Sequence, residues 1–345
     1  MIGVDADFRC NESVPAGKGV IAVIIPAYKV SRHILDVVRS MPACVSHVYV
    51  VDDACPDGSG ELVRKECRDP RVTVLFNNVN LGVGGAVKHG YRVAVADGAD
   101  VAVKVDGDGQ MDPGLIPLFV APILSGRADY TKGNRFFDVS VMKKMPFVRL
   151  FGNAVLSFLS KLSTGYWGLF DPTNGYTALS CRVIPLLALD KISNRYFFET
   201  DMLFRLNSVG AVVRDIPMAA RYADEVSNLR ISKVIPEFSI AHLRNFLKRI
   251  FYNYYLRDFS IASIALLAAV PLLCFGIGFG TLKWWFSIAT GIVATPGEVM
   301  LAVLPLTVGF HLLLAFVSYD MMNVAKEPLT GLLGWQLLVN ESAEG

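Results

Sequence analysis

The sequence carries no excess of charge: 33 lysines and arginines against 31 aspartates and glutamates leave +2 over 345 residues. A nucleic-acid partner, which calls for a strongly basic face, is not expected. A cysteine framework is also missing. The six cysteines, Cys10, Cys44, Cys55, Cys67, Cys181 and Cys274, show no CxxC spacing. Free thiols in a reducing compartment are the expectation, rather than disulfides or a thiolate metal site. Met1 to Gly19 is polar and lacks the apolar core of a secretory signal. Charge then becomes sparse after Asp258.

That local scarcity marks a membrane segment. No charged side chain occurs from Phe259 to Leu282, and Val299 to Tyr319 is interrupted only by His311. At about 1.5 Å per helical residue, each stretch can cross a hydrocarbon core of about 30 Å. A pair of buried helices in a soluble core is the competing reading, which two such lengths disfavour. Pro271 and Pro305 should kink the spans, and Gly276, Gly278 and Gly280 should let them approach closely. Lys283-Trp284-Trp285 suits an interfacial anchor. Arg244, Lys248, Arg249 and Arg257 precede the first span, whereas the connecting loop has only Lys283. The positive-inside bias therefore puts the N-terminal part, and with two spans the C-terminus, in the cytoplasm. From Phe238 to Tyr255, Leu243, Phe246, Leu247, Ile250, Phe251, Tyr254 and Tyr255 form a helical apolar stripe. Arg244, Asn245, Lys248 and Arg249 fall on other faces. Such a helix is expected along the membrane surface; the alternative packs it on the soluble part.

The first part of the chain alternates strand and helix patterns. Val20–Ile25, Val48–Val51, Val72–Leu75 and Val101–Val103 are continuous apolar runs, with helical stretches over His33–Ser40, Gly60–Glu66 and Gly84–Ala96 between them. The expected fold class is α/β, a mostly parallel Rossmann-like sheet with helices on both faces. The expected organisation is an extension over 1–19, an α/β domain over 20–231, a juxtamembrane amphipathic helix over 232–258, a transmembrane hairpin over 259–322 and a tail over 323–345.

Ligands of such sheets bind at the carboxyl ends of strands, and four polar clusters fall there. They are Pro26-Ala27-Tyr28, the turn opening at Asp52-Asp53, the Asn80-Leu81-Gly82-Val83-Gly84 turn, and Asp106-Gly107-Asp108-Gly109-Gln110. Asp106 and Asp108 repel unless a cation or donor network offsets them. A hard divalent ion, Mg2+ or Mn2+, shared with substrate phosphates would do so.

Together these segments resemble family 2 glycosyltransferases of GT-A fold, and among them the polyprenol-phosphate sugar transferases. The resemblance covers roughly residues 20 to 230 by motif, and the helix and spans extend it to about 322. It implies an inverting enzyme moving a single hexose from a UDP- or GDP-sugar to polyprenyl (undecaprenyl) phosphate, for cell-surface glycan such as lipopolysaccharide or O-antigen. The setting would be the cytoplasmic face of the inner membrane. A flippase would act on the product, and a homo-oligomer is compatible.

Residue by residue, the resemblance places Pro26, Ala27, Tyr28, Asp52 and Asp53 at the nucleotide, with Asp53 favoured over Asp52 as base contact. Asn80, Gly82 and Lys88 belong to the segment closing over it. Asp108 and Gln110 would bind the metal, and Asp106 the metal or donor sugar. Arg135, Arg149 and Arg221 would grip the acceptor phosphate, the last in a segment where Asp224 and Asn228 depart from the family pattern. Glu199 and Asp201 would sit near the reacting centre, as base or merely as orienting groups. If the acceptor is instead a hydroxyl of a lipid-linked glycan, one of them must be a base. The chain lacks the Gln-x-x-Arg-Trp motif of processive synthases, and an intact acidic strand end argues against a non-enzymatic nucleotide-sugar sensor.

Overall fold

The computed structural model describes residues 19–137, 147–219, 231–331 and 333. The apolar runs form β1 (Ile21–Ala27), β2 (His47–Asp52), β3 (Val72–Phe76) and β4 (Val101–Lys104). Between them lie α1 (Ile34–Arg39), α2 (Ser59–Glu66) and α3 (Val83–Ala96). Helices cover both faces, so successive side chains of β1 serve two cores. Ala22 and Ile24 join Val87 and Tyr91 of α3, while Val23 and Ile25 join Val37 of α1 and Phe119.

Three further strands complete the sheet: β5 (Tyr130–Asn134), β6 (Thr177–Ser180) and β7 (Val213–Pro217). The order is β3-β2-β1-β4-β6-β5-β7, with β6 antiparallel to both neighbours and the remaining pairs parallel. The mostly parallel sheet is as expected. No run had marked β5 to β7, because Lys132, Asn134 and Thr177 break the apolar pattern on which such runs depend.

Strand order also locates the ligand crevice. The chain moves from β1 to β2 and β3 on one side, then returns with β4 on the other. Pairing of β1 with β4 stops at Ile24↔Lys104, whereas pairing with β2 runs on to Ala27↔Asp52. The end of β1 thus has an open flank at the topological switch point. Pro26, which has no N–H to donate, lies beyond the last β4 rung.

The remaining helices are α4 (Ile116–Leu124), α5 (Phe147–Thr164), α6 (Phe198–Val209), α7 (Ile231–Phe251), α8 (Ile261–Thr290) and α9 (Pro296–Met322). A π-helical turn, Tyr252–Arg257, follows α7. Helices α8 and α9 are long and apolar enough to cross a membrane, and both continue through Pro271 and Pro305. They run beyond the expected limits: Lys283, expected in the loop, lies inside α8 and pairs with Glu298 of α9 at 2.6 Å. Gly276 packs against Leu306 and Ala302, but Gly278 faces open space.

Helix α7 is built differently from the expected stripe. His242, Asn245 and Arg249, spaced i, i+3, i+7, form one buried polar face, while Leu243, Leu247 and Phe251 are exposed beside Arg244 and Lys248. The polar face turns inward because each group finds a partner there. His242 meets Ser163 at 2.8 Å, Asn245 donates to Asp201, and Arg249 grips Asp320 of α9 at 2.5 and 2.9 Å. Asp320 also accepts from Tyr254 (2.7 Å) and from the Trp167 indole (2.9 Å). Arg257, counted above among the basic flank, donates to the Ser208 carbonyl. Beyond α9 the chain returns to the sheet, where Leu329 and Thr330 donate to the buried Asp129. The residues of the expected extension before 19, and of the tail after 333, lie outside those described.

The Arg249–Asp320 pair ties the hairpin to the α/β part. Removing one partner leaves an uncompensated buried charge, so Asp320→Ala should cost about 3–5 kcal/mol. Thermal unfolding of the detergent-solubilised protein should show that loss.

Candidate active site

A cleft of about 350 Å3 opens at the switch point, lined by Pro26, Ala27 and Tyr28 from β1, Asp53 after β2, Asn80 and Gly82 before α3, and Asp106 and Asp108 after β4. Arg195 and Tyr196 supply another part of its wall. The four expected clusters therefore meet in one place. Two residues just past the β1 and β2 ends, Lys29 (φ 59°) and Ala54 (φ 51°), hold the left-handed backbone that non-glycine residues rarely adopt. Such strain persists only where surroundings enforce it, and it often accompanies binding sites.

The Asp52-Asp53 turn divides its labour. Asp52 is buried and accepts from the backbone N–H of Cys55 (2.8 Å) and Gly60 (2.7 Å), tying the turn to the start of α2. Asp53 lines the cleft and accepts from Asn77 Nδ2 and from the N–H groups of Leu81 and Gly82 (2.8, 2.9 and 2.7 Å). It thereby fixes the Asn80-Leu81-Gly82 turn at the N-terminus of α3, where backbone N–H groups and the helix dipole favour an anion. Lys88 lies away from the cleft. Its buried amine, lowered in pKa by that burial, donates to the Ile192 carbonyl at 2.7 Å.

Beneath Asp106 lies Lys104, fully buried on β4. Its Nζ contacts Asp106 Oδ1 at 2.8 Å, Glu199 Oε1 at 3.3 Å and the Gly175 carbonyl at 3.2 Å. Burial alone would push the amine down; the two carboxylates reverse that and hold it charged. A second buried lysine, Lys132 on β5, donates to the Asn174 carbonyl. Burial lowers it to about 8, against the pull of Glu199 and Asp171. Asp171 in turn holds Arg135 through a two-pronged contact, Nε at 2.8 Å and Nη2 at 3.0 Å. Alternating charges thus run from Asp106 through Lys104, Glu199, Lys132 and Asp171 to Arg135.

A metal-ion fit can be judged from these donors. Asp108 and Asp106 present hard oxygens in the cleft, and the Gln110 N–H steadies Asp108 Oδ1 at 2.9 Å. Among the described residues no group of three or more His, Cys, Asp or Glu side chains forms a closed cage. The set fits a hard divalent ion completed by substrate phosphates.

Comparison with known proteins agrees with this geometry. Residues 22–185 match the family described as Glycosyl transferase family 2. An undecaprenyl-phosphate mannosyltransferase of Micrococcus luteus is 33% identical over 50% of this chain and 71% of that protein. The chain belongs to glycosyltransferase family 2. A UDP-N-acetylglucosamine--dolichyl-phosphate N-acetylglucosaminyltransferase of Methanococcus voltae is 28% identical over 64% of this chain and 93% of the relative. Among solved structures, glucosyl-3-phosphoglycerate synthase of Mycobacterium tuberculosis, in complex with Mn2+, UDP and glucosyl-3-phosphoglycerate, superposes with a TM-score of 0.50. That match has 18% identity and covers 69% of this chain and 82% of that one. At that identity it speaks to the fold, which is GT-A.

In this glycosyltransferase the Glu199–Asp201 pair separates. Two residues apart on α6, the side chains fall on roughly opposite faces, since each residue turns about 100°. Glu199 joins Lys104, whereas Asp201 is buried and accepts from the Ser193 N–H (2.9 Å) and Asn245 Nδ2 (3.0 Å). Neither lines the cleft. Of the three expected phosphate-binding arginines, Arg135 is described above. Arg149 belongs to the first turn of α5, its side chain not among those described, and Arg221 lies outside the described residues. Sequence reasoning missed Lys104, Lys132, Arg195 and Tyr196. For Lys104 a signal existed, because a charge inside an apolar strand is costly unless paired. Arg195 and Tyr196 carry no motif.

Two outcomes follow. A Cβ on Gly84 would lie 2.5 Å from the Ser193 carbonyl and 2.6 Å from the Phe198 ring. Gly84→Ala should therefore destabilise by about 1–3 kcal/mol in thermal unfolding. Gly152→Ala, facing open space on α5, should be neutral or stabilise by up to about 1 kcal/mol. The second concerns pH: Lys132 is cationic below about 8 and loses its proton above it. As that charge is lost, kcat/KM should fall above pH 8, and Lys132→Arg should move the falling limb to higher pH.

Proposed function

We propose that this glycosyltransferase transfers one hexose from a UDP- or GDP-sugar to polyprenyl phosphate, undecaprenyl phosphate being the test acceptor, with inversion, at the cytoplasmic face of the membrane. The observation that carries the acceptor class is the fate of the acidic pair. Glu199 is committed to Lys104, and Asp201 to Ser193 and Asn245. A hydroxyl acceptor would need a free base at this position, whereas a phosphate monoester is already ionised near neutral pH. The relatives named for undecaprenyl-phosphate and dolichyl-phosphate support the same class.

The residues divide the work accordingly. Asp53 and the Asn80-Leu81-Gly82 turn position the nucleotide beside Pro26, Ala27 and Tyr28. Asp108, with Asp106 and Gln110, would hold the Mg2+ or Mn2+ ion, which offsets charge on the departing diphosphate. Lys104 bridges Asp106 and Glu199 and offsets the repulsion between their charges. Arg135, aimed by Asp171, offers a guanidinium edge to the acceptor phosphate, with Arg149 and Arg221 as further candidates. An acceptor phosphate oxygen attacks the anomeric carbon while the bond to the nucleoside diphosphate breaks. The bonding pair leaves with the diphosphate, and no proton changes hands. A single displacement inverts the anomeric centre. The hairpin of α8 and α9 keeps this chemistry beside the lipid headgroup, and a flippase would carry the product across.

Purified enzyme given UDP- and GDP-hexoses, undecaprenyl phosphate and Mn2+ or Mg2+ should yield a lipid-phosphate hexose by mass spectrometry. Chelator should abolish it, and Asp108→Ala should lower kcat at least about 100-fold. Normal turnover of Asp108→Ala, or transfer to a lipid-linked oligosaccharide but not to undecaprenyl phosphate, would refute the reading.

A further inference from the structure

The loop ahead of α6 joins the cleft to the membrane-side helix. Arg195 and Tyr196 line the cleft, and the loop is fastened on both flanks. Toward α3, Lys88 donates to the Ile192 carbonyl at 2.7 Å, and the Asn194 carbonyl accepts from Gly84 N–H at 2.9 Å. Toward α7, Phe197 meets Phe238 and His242 edge-on, with ring centroids 5.4 and 5.0 Å apart. Asp201 closes the connection: one carboxylate oxygen accepts from Ser193 of the loop and the other from Asn245 of α7. Both side chains are almost fully buried, Asp201 at 2% and Asn245 at 1% exposure. Asp201 thus has no line to a reacting atom, yet holds the cleft wall. Arg195 is exposed and makes no ion pair among the described residues, while Asp53, Asp106 and Asp108 share its cleft. A cation so placed suits a diphosphate.

We propose that Asp201 is a positioning residue for the donor: it ties the loop bearing Arg195 and Tyr196 to Asn245 of α7, so that the helix leading into the membrane hairpin sets the donor wall and Arg195 meets the nucleoside diphosphate. The proposal rests on reading the cleft as a nucleotide-sugar site. It makes donor affinity depend on a buried amide that touches no substrate.

Reversing the pair tests it. Asn245→Asp sets two carboxylates against each other and should weaken UDP or GDP binding about tenfold by calorimetry on the full chain in detergent with Mn2+. Donor KM should rise in parallel, with kcat held within about threefold. The double variant Asp201→Asn/Asn245→Asp should recover nucleotide affinity, because Asn at 201 can donate to Asp at 245 and still accept from Ser193. Arg195→Ala, on the exposed loop, should lose affinity with unchanged thermal stability. An unrescued double variant overturns the proposal. So does an Asp201→Asn enzyme that binds nucleotide normally but has lost kcat, as expected of a base. The binding series decides the tether whichever acceptor is used; absence of nucleotide binding by the wild type would overturn the donor-site reading and the proposal with it.

Discussion

An ammonium buried inside a strand is tolerable only where neighbouring carboxylates offset its charge, and here that ammonium belongs to Lys104. Its ammonium sits under the cleft floor, between Asp106 and Glu199 and against the Gly175 carbonyl. Removing such a cation from water is expensive, and two carboxylates are needed to make it tolerable. The arrangement constrains its surroundings. Gly175 is left almost no room for a Cβ, which would lie 2.5 Å from Lys104 Nζ. Glu199 is engaged by the same ammonium at 3.3 Å. The charge pattern continues through Lys132 and Asp171 to Arg135, so one electrostatic framework links the cleft floor to that arginine.

A second constraint is mechanical. The membrane hairpin is joined to the α/β part through the buried Arg249–Asp320 pair, supported by Tyr254, Trp167 and the Leu162 carbonyl. One more contact returns from beyond the hairpin, where Asp129 accepts from Leu329 and Thr330. Polar contacts of this kind are directional, unlike apolar packing, and so specify one orientation.

The inward polar face of α7 follows from the same logic. A surface helix normally buries its apolar residues, and here His242, Asn245 and Arg249 are buried along with Ile250. The exposed Leu243, Leu247 and Phe251 beside Arg244 and Lys248 match a helix whose other side meets lipid. What faces the protein can be polar because every group but His242 Nε2 is partnered there.

Much of this was legible in the residues themselves. Continuous apolar runs that give way to Pro26, Asp52 and Lys104 located the ends of β1, β2 and β4 closely, since a strand covered on both faces is mostly apolar and its polar boundary marks the exit. The two charge-free stretches gave the hairpin for the same reason, because a span tolerates no unpaired charge. Family 2 membership could be read from the order and spacing of the four clusters. Pairings between residues far apart in the chain could not. Nothing local shows that Asp52 secures α2 while Asp53 reaches the cleft, that Glu199 and Asp201 part company, or that Asn245 and Arg249 turn inward. A side chain's role at such places depends on which partner the folded chain brings within about 3 Å, and hydrogen bonds and ion pairs decide that only once the sheet has closed.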